Sequence, residues 1–153
     1  MSVVRFGVVG YGDRIHGVIQ HAMRKALPPS TQPDVRVVAI VDPDEERVRS
    51  LLAECDISGV VFYDSLDQMV REARLDGLLI GTRCNLHASF AIEAARYDLP
   101  LYLEKPVAIT MGQAVALEQA YENSACRVLV SFPLQVSPLF SMARRLIEEG
   151  AVG

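Results

Sequence analysis

The chain has 153 residues, a formal net charge of −4 from 15 basic and 19 acidic side chains, and 50% hydrophobic residues. That length suits one domain able to bury roughly 68–70% of the surface its unfolded form exposes, and an acidic balance with no basic stripe or interleaved aromatics argues against a nucleic-acid partner. No apolar run approaches the roughly 20 residues that span a bilayer, and Met1–Arg5 leads into a strand rather than a leader, so a cytoplasmic protein without membrane contact is expected.

The first apolar run, VVRFGVVG at 3–10, ends in Gly10-Tyr11-Gly12-Asp13-Arg14-Ile15-His16-Gly17 and then an amphipathic helix. In a dinucleotide-binding turn the first glycine makes the bend and the second lets backbone amides approach a pyrophosphate at the helix start. Gly10 and Gly12 fit those two roles. Ile15 stands where the G-x-G-x-x-G pattern has its third glycine, with Gly17 two residues later, so helix–strand packing is expected to differ locally. An ordinary strand–helix turn stays open on this fragment alone.

The stretch PPSTQPD at 28–34 reads as a polar surface loop. The second run, VRVVAIV at 35–41, ends on Asp42, and a helix is expected over Pro43–Cys55 with acids in its first turn. A carboxylate at this strand end can accept both adenosine ribose hydroxyls and repel a ribose phosphate, which favours NAD over NADP. It comes later than the usual distance of about 20 residues after the glycines, a delay the proline-rich loop explains. The same aspartate can equally serve as a helix cap.

VVFY at 60–63 is followed by a helix over Leu66–Arg74, and DGLLIGT at 76–82 runs into Thr82-Arg83-Cys84-Asn85-Leu86-His87 with a helix over Leu86–Tyr97. Ser65 with Gln68, and Thr110 with Gln113, fit reciprocal capping boxes, the second opening a helix over Met111–Tyr121. A lone histidine at a helix start, as His87 is, serves either as a satisfied packing residue or as a catalyst.

LYL at 101–103 ends on Glu104-Lys105-Pro106, an acid, a base and a ring at a strand mouth. The proline pushes the residue before it out of helical conformation, so Lys105 is held in an extended turn. RVLVSF at 127–132 is the last run. SPLFSMARRLIEEG then forms an amphipathic helix that stops at Gly150. All six runs are continuous rather than alternating, as strands buried on both faces are. With helices between them they predict an α/β fold with a doubly wound, mostly parallel six-stranded sheet and helices on both faces.

The cysteines, Cys55, Cys84 and Cys126, are odd in number and form no Cys-x-x-Cys pair, so reduced, mostly packed thiols are expected. The nearest histidine pair, His16 and His21, is spaced i, i+5, off a common helical face, and no metal site is expected.

GVVGYG, VVAIVDPDEERV, GTRCNLH, YLEKPVAIT and the C-terminal VSFPLQVSPLFSMARRLIEEGAVG occur in one order that resembles the nucleotide-binding half of the Gfo/Idh/MocA oxidoreductases across essentially the whole chain. The Glu-Lys-Pro turn is the most specific element. The resemblance implies a Rossmann fold binding NAD(P), with hydride exchanged with a hydroxyl-bearing carbon of a sugar, polyol or related small molecule. By position, Gly10, Tyr11, Gly12, Arg14 and Ile15 would line the pyrophosphate and Asp42 the adenosine ribose. Thr82, Arg83, Asn85 and His87 would border the cofactor, and Glu104 and Lys105 would lie near the nicotinamide. Lys105 would be the catalytic residue, donating a hydrogen bond to the reacting oxygen. The chain departs from the family pattern at Arg83, where proline is usual, and at Gln135, where arginine is common.

Family members continue into a substrate domain, which this chain, read as one dinucleotide-binding domain over 1–153, is expected to lack. The surface such a domain covers would then stay exposed and favour homo-oligomers. A noncatalytic NAD-sensing or scaffold module is the alternative. An S-adenosylmethionine methyltransferase shares the glycine loop but leaves the Glu-Lys-Pro turn without a role.

Overall fold

A computed structural model describes residues 3–23 and 34–152. Of the loop expected at 28–34, residues 28–33 lie outside them and Asp34 instead opens a strand. Six strands, β1 (Val3–Val9), β2 (Asp34–Val41), β3 (Val61–Phe62), β4 (Gly77–Ile80), β5 (Leu101–Leu103) and β6 (Val128–Val130), form one sheet in the order β3-β2-β1-β4-β5-β6. Every pairing is parallel. The strand order reverses between β1 and β4, which places a topological switch point there.

The continuous apolar runs follow from two cores. Val9, Leu78 and Ile80 join one cluster with Leu66, Met69, Ala91 and Leu103. Their chain neighbours Val8 and Leu79 join another with Tyr11, Ile15, Val48 and Leu52. Successive side chains point to opposite faces of a strand, so a strand covered on both sides has no polar positions to alternate with.

Helix α1 (Asp13–Gly17) continues as a π-helix over Val18–Met23. Helix α2 (Glu45–Glu54) begins two residues later than expected, because Asp44 is its cap and accepts from the Arg47 N–H at 3.1 Å. Helix α3 (Leu66–Glu72) stops short of Arg74, since Ala73 is already extended. Helix α4 (His87–Ala94) tightens into a 3₁₀ turn over Ala95–Tyr97, closed by Asp98 at φ 52°.

Both capping boxes are half made. Ser65 and Thr110 each accept an N3 amide. The reciprocal arm is missing: Gln68 donates to Glu72, and Gln113 accepts from Ile109 N–H, one residue before the cap of α5 (Met111–Glu122).

Among the described residues an apolar groove of about 400 Å³ lies on the second face of β5 and β6, floored by Leu79, Tyr102 and Leu129 and bordered by Val18. Helix α6 (Pro138–Glu148) packs chiefly on the 3₁₀ turn before it and buries none of its residues. Leu139 is 73% exposed and Ile147 63%.

Candidate functional site

The carboxyl ends of β1, β2 and β4 open onto a groove of about 540 Å³. Gly10, Gly12 and Asp13 reach it from the β1 loop, Asp42, Asp44 and Arg47 from β2 and α2, and Thr82, Arg83, Leu86 and Phe90 from β4 and α4. A cavity of similar size, about 550 Å³, sits at the opposite end of β2 between Val35 and Ser58. Ligands of open parallel sheets bind beyond the strands' carboxyl ends at the switch point, so the first is the candidate site.

Gly10 is glycine for two reasons. Its φ is +78°, and a Cβ there would stand 2.6 Å from the Thr82 Cα. Its N–H donates to the Val41 carbonyl at 2.9 Å, tying the turn to β2. Gly12 differs. Its φ of −79° suits any residue, and a Cβ would meet only the Gly81 carbonyl oxygen at 3.6 Å. Nothing among the described residues requires a glycine here, and the space left by the missing side chain belongs to the groove.

Tyr11 and Ile15 turn inward and are 0% exposed, so their side chains do not face the groove. Ile15 packs where a Cβ of Gly81 would be, which supplies from β4 the close approach that the motif's third glycine normally provides. The Tyr11 hydroxyl finds no hydrogen-bond partner among the described residues, and burial, with Cys55 beside it, pushes its pKa up to about 12.

Asp42 does structural work as well as facing the groove. One carboxylate oxygen accepts the Tyr11 N–H at 2.7 Å and the other the Asp44 N–H at 2.9 Å. Arg47 donates to the Tyr11 carbonyl at 3.0 Å and lies 3.7 Å from Asp42 and 3.6 Å from Asp44.

At β5, Glu104 is 4% exposed. It accepts from the Tyr102 hydroxyl at 2.8 Å and the Lys105 N–H at 3.3 Å, and pairs with Arg14 at 3.4 Å. Tyr102 has one proton, given to Glu104, so the Ser131 hydroxyl at 2.8 Å donates to Tyr102. Burial first, and the Glu104 carboxylate after it, raise the Tyr102 pKa. Lys105 follows across a cis peptide to Pro106, is exposed, and forms no ion pair among the described residues.

His87 is 2% exposed, with Nδ1 2.7 Å from the Pro106 carbonyl oxygen and Nε2 3.0 Å from that of Thr82. Asn85 is exposed and lends its carbonyl to Gln113.

Of the expected residues, the groove brings together Gly10, Gly12, Asp42, Thr82 and Arg83. Arg14, Glu104 and Lys105 form a neighbouring group at β5, and His87 lies behind both. Sequence reasoning missed Asp13, Asp44, Arg47, Leu86 and Phe90. Only Asp13 and Asp44 carried a local signal, as acids flanking the two helix starts. Among the described residues no group of three or more histidine, cysteine or acidic side chains could hold a metal.

The model of an oxidoreductase family, GFO_IDH_MocA, described by its NAD-binding Rossmann fold, matches residues 4–132. An inositol 2-dehydrogenase of Rhizobium meliloti is 27% identical over 98% of this chain and 42% of its own length. The rhizopine catabolism protein MocA of the same species is 24% identical over 100% and 45%. The WlbA dehydrogenase from Bordetella pertussis, solved with NADH and UDP-GlcNAcA, is 25% identical with a TM-score of 0.74, covering 97% of this chain and 43% of that one. The myo-inositol dehydrogenase from Lactobacillus casei, at 19% identity, shares the fold with a TM-score of 0.80 over 99% and 43%. The chain thus spans less than half the length of the relatives it matches.

Proposed function

We propose that this chain, which belongs to the Gfo/Idh/MocA oxidoreductase family as its NAD-binding Rossmann domain, holds NAD in the groove beyond β1, β2 and β4 and serves a dehydrogenase acting on a sugar or polyol. The observation that carries the reading is Gly12, a glycine with ordinary backbone angles whose side-chain space opens into the groove. Backbone amides there would approach the pyrophosphate, with Arg83 and Arg14 supplying positive charge. Asp42 would accept the adenosine ribose hydroxyls.

NAD is favoured over NADP. Asp42 and Asp44 would repel a ribose phosphate, and Arg47, the cation best placed to accept one, is engaged by both carboxylates and the Tyr11 carbonyl.

The cofactor, when bound, supplies hydride exchange with a hydroxyl-bearing carbon. The exposed Lys105 ammonium would donate a hydrogen bond to the reacting oxygen, while Glu104 fixes the backbone beneath it and anchors Arg14 of the β1 loop. Names of relatives such as inositol 2-dehydrogenase support a polyol or sugar substrate. In this proposal the chain is one dinucleotide-binding domain, and further substrate walls belong to the rest of a protein as long as its relatives. A cytoplasmic setting, where nicotinamide dinucleotides are metabolised, is part of the same proposal, as is self-association through the exposed apolar surface of β6 and α6.

Calorimetric titration tests the reading. NAD should saturate one site per chain with NADP weaker, and a folded Gly12→Ala variant should lose about tenfold in affinity, as removal of a close backbone approach would. A folded wild-type chain that takes up neither dinucleotide would overturn it.

A further inference from the structure

Two loops meet beside the groove, one after β4 and one after β5, and a single imidazole joins them. His87 opens α4, is 2% exposed, and lies within hydrogen-bond distance of two carbonyl oxygens: Thr82, where β4 ends, and Pro106, next to Lys105. Carbonyls only accept, so each contact needs a ring N–H: a neutral imidazole donates to one of the two carbonyls and an imidazolium to both, and either way the ring fills the span between them. An apolar side chain would satisfy packing here. A two-ended polar bridge does more, because it sets the distance between two backbone segments.

Gln113 adds a second connection on the surface. Its amide donates to the Asn85 carbonyl at 3.3 Å and accepts from the Ile109 N–H at 2.9 Å, spanning the same two loops. The β5 loop is therefore tied to the β4 loop at both its buried and its exposed side.

We infer that His87 is a positioning residue that holds the Lys105 turn in register with Thr82 and so fixes where the Lys105 ammonium stands over the nicotinamide end of the groove. This rests on the dinucleotide reading above. It assigns His87 no contact with cofactor or substrate.

The sequence supplies a direct reporter, because Lys25 and Lys105 are its two lysines. Acylation by acetic anhydride, read by mass spectrometry at Lys105 against Lys25, measures how well a bound ligand covers the Lys105 amine. In the wild-type chain NAD should shield Lys105, and ADP-ribose, which lacks the nicotinamide, should not. His87→Leu keeps volume without donors, and His87→Gln keeps an N–H for one carbonyl and guards against a leucine variant that fails to fold. Both should bind ADP-ribose as the wild type does, while NAD shielding of Lys105 falls by about tenfold, as expected on losing buried hydrogen bonds, with glutamine the milder change.

Shielding retained in folded variants would overturn the inference. So would a parallel loss of ADP-ribose affinity, which marks a general structural role, or a wild-type Lys105 labelled equally with and without bound NAD. A wild-type chain that binds no NAD would remove the cofactor reading itself, whereas failure confined to the variants leaves that reading standing.

Discussion

Ile15 occupies the space that Gly81 leaves free: a Cβ built on Gly81 would stand 2.7 Å from the Ile15 Cδ1, nearer still to Cγ1, and 3.3 Å from the Gly10 carbonyl oxygen. The close approach of helix to sheet is kept, but the small residue has moved from the helix to the neighbouring strand. Gly81→Ala should therefore cost about 1–3 kcal/mol through overpacking, and Ile15→Ala about 2–5 kcal/mol through a cavity. The double variant should be less destabilised than the sum by at least about 0.5 kcal/mol. Urea denaturation of the four proteins checks this, and additive losses would mean that the two residues do not share one space.

Asp42 carries two demands at once, holding the β1 turn through the Tyr11 and Asp44 amides and presenting its carboxylate to the groove. Asp42→Asn keeps one acceptor and removes the charge. NAD affinity should fall by about tenfold and the preference for NAD over NADP should narrow, because Arg47 loses a counter-ion and a ribose phosphate loses a repelling neighbour. Parallel titrations with the two dinucleotides measure the ratio, and an unchanged ratio would separate Asp42 from cofactor choice.

Much of this site was legible because it is local. Gly10 and Asp42 sit in turns whose geometry dictates the residue, Gly12 stands in the same short motif as Gly10, and adjacent pairs such as Val8 and Val9 disclose a strand buried on both faces. Arg47, Leu86 and Phe90 were not legible, since a helical side chain reaches the groove only through the way its helix docks. The inward direction of Tyr11 and Ile15 is likewise set by α1 packing on the sheet. The double anchoring of His87 depends on a loop 19 residues away in sequence. Capping patterns located α3 and α5 but did not reveal that each glutamine would choose a partner other than its cap.

The Tyr11 phenol is buried without a hydrogen-bond partner among the described residues. Replacing such a hydroxyl with hydrogen removes an unmet polar group, so Tyr11→Phe should leave stability at pH 7 unchanged or raise it by up to about 1 kcal/mol. The pH response follows from a pKa of about 12 in the folded chain against an ordinary value of 10.0. The unfolded chain loses this proton first, so the phenol's stabilising share is whole below pH 10 and declines as pH rises towards 12. Tyr121, raised chiefly by burial, adds to the same alkaline loss. Thermal melts from pH 8 to 12 should show a shallower decline in Tyr11→Phe, and identical slopes would contradict the assignment.

Leu129 of β6, Val136 at the end of the 3₁₀ turn that follows, and Leu139 and Ile147 of α6 are each more than half exposed. Exposed apolar side chains in this number favour association. Light scattering over a range of concentrations should show a rising average mass, and Leu139→Glu with Ile147→Glu should return it to that of a monomer. A wild-type chain that stays monomeric throughout would contradict self-association.

Amide chemical-shift mapping during NAD titration bears most directly on the proposed function. The largest saturable changes should fall on Gly10, Gly12, Asp42, Thr82 and Arg83 together. Changes confined to the cavity between Val35 and Ser58, or no saturable change in a folded chain, would contradict a dinucleotide site at the carboxyl ends of β1, β2 and β4.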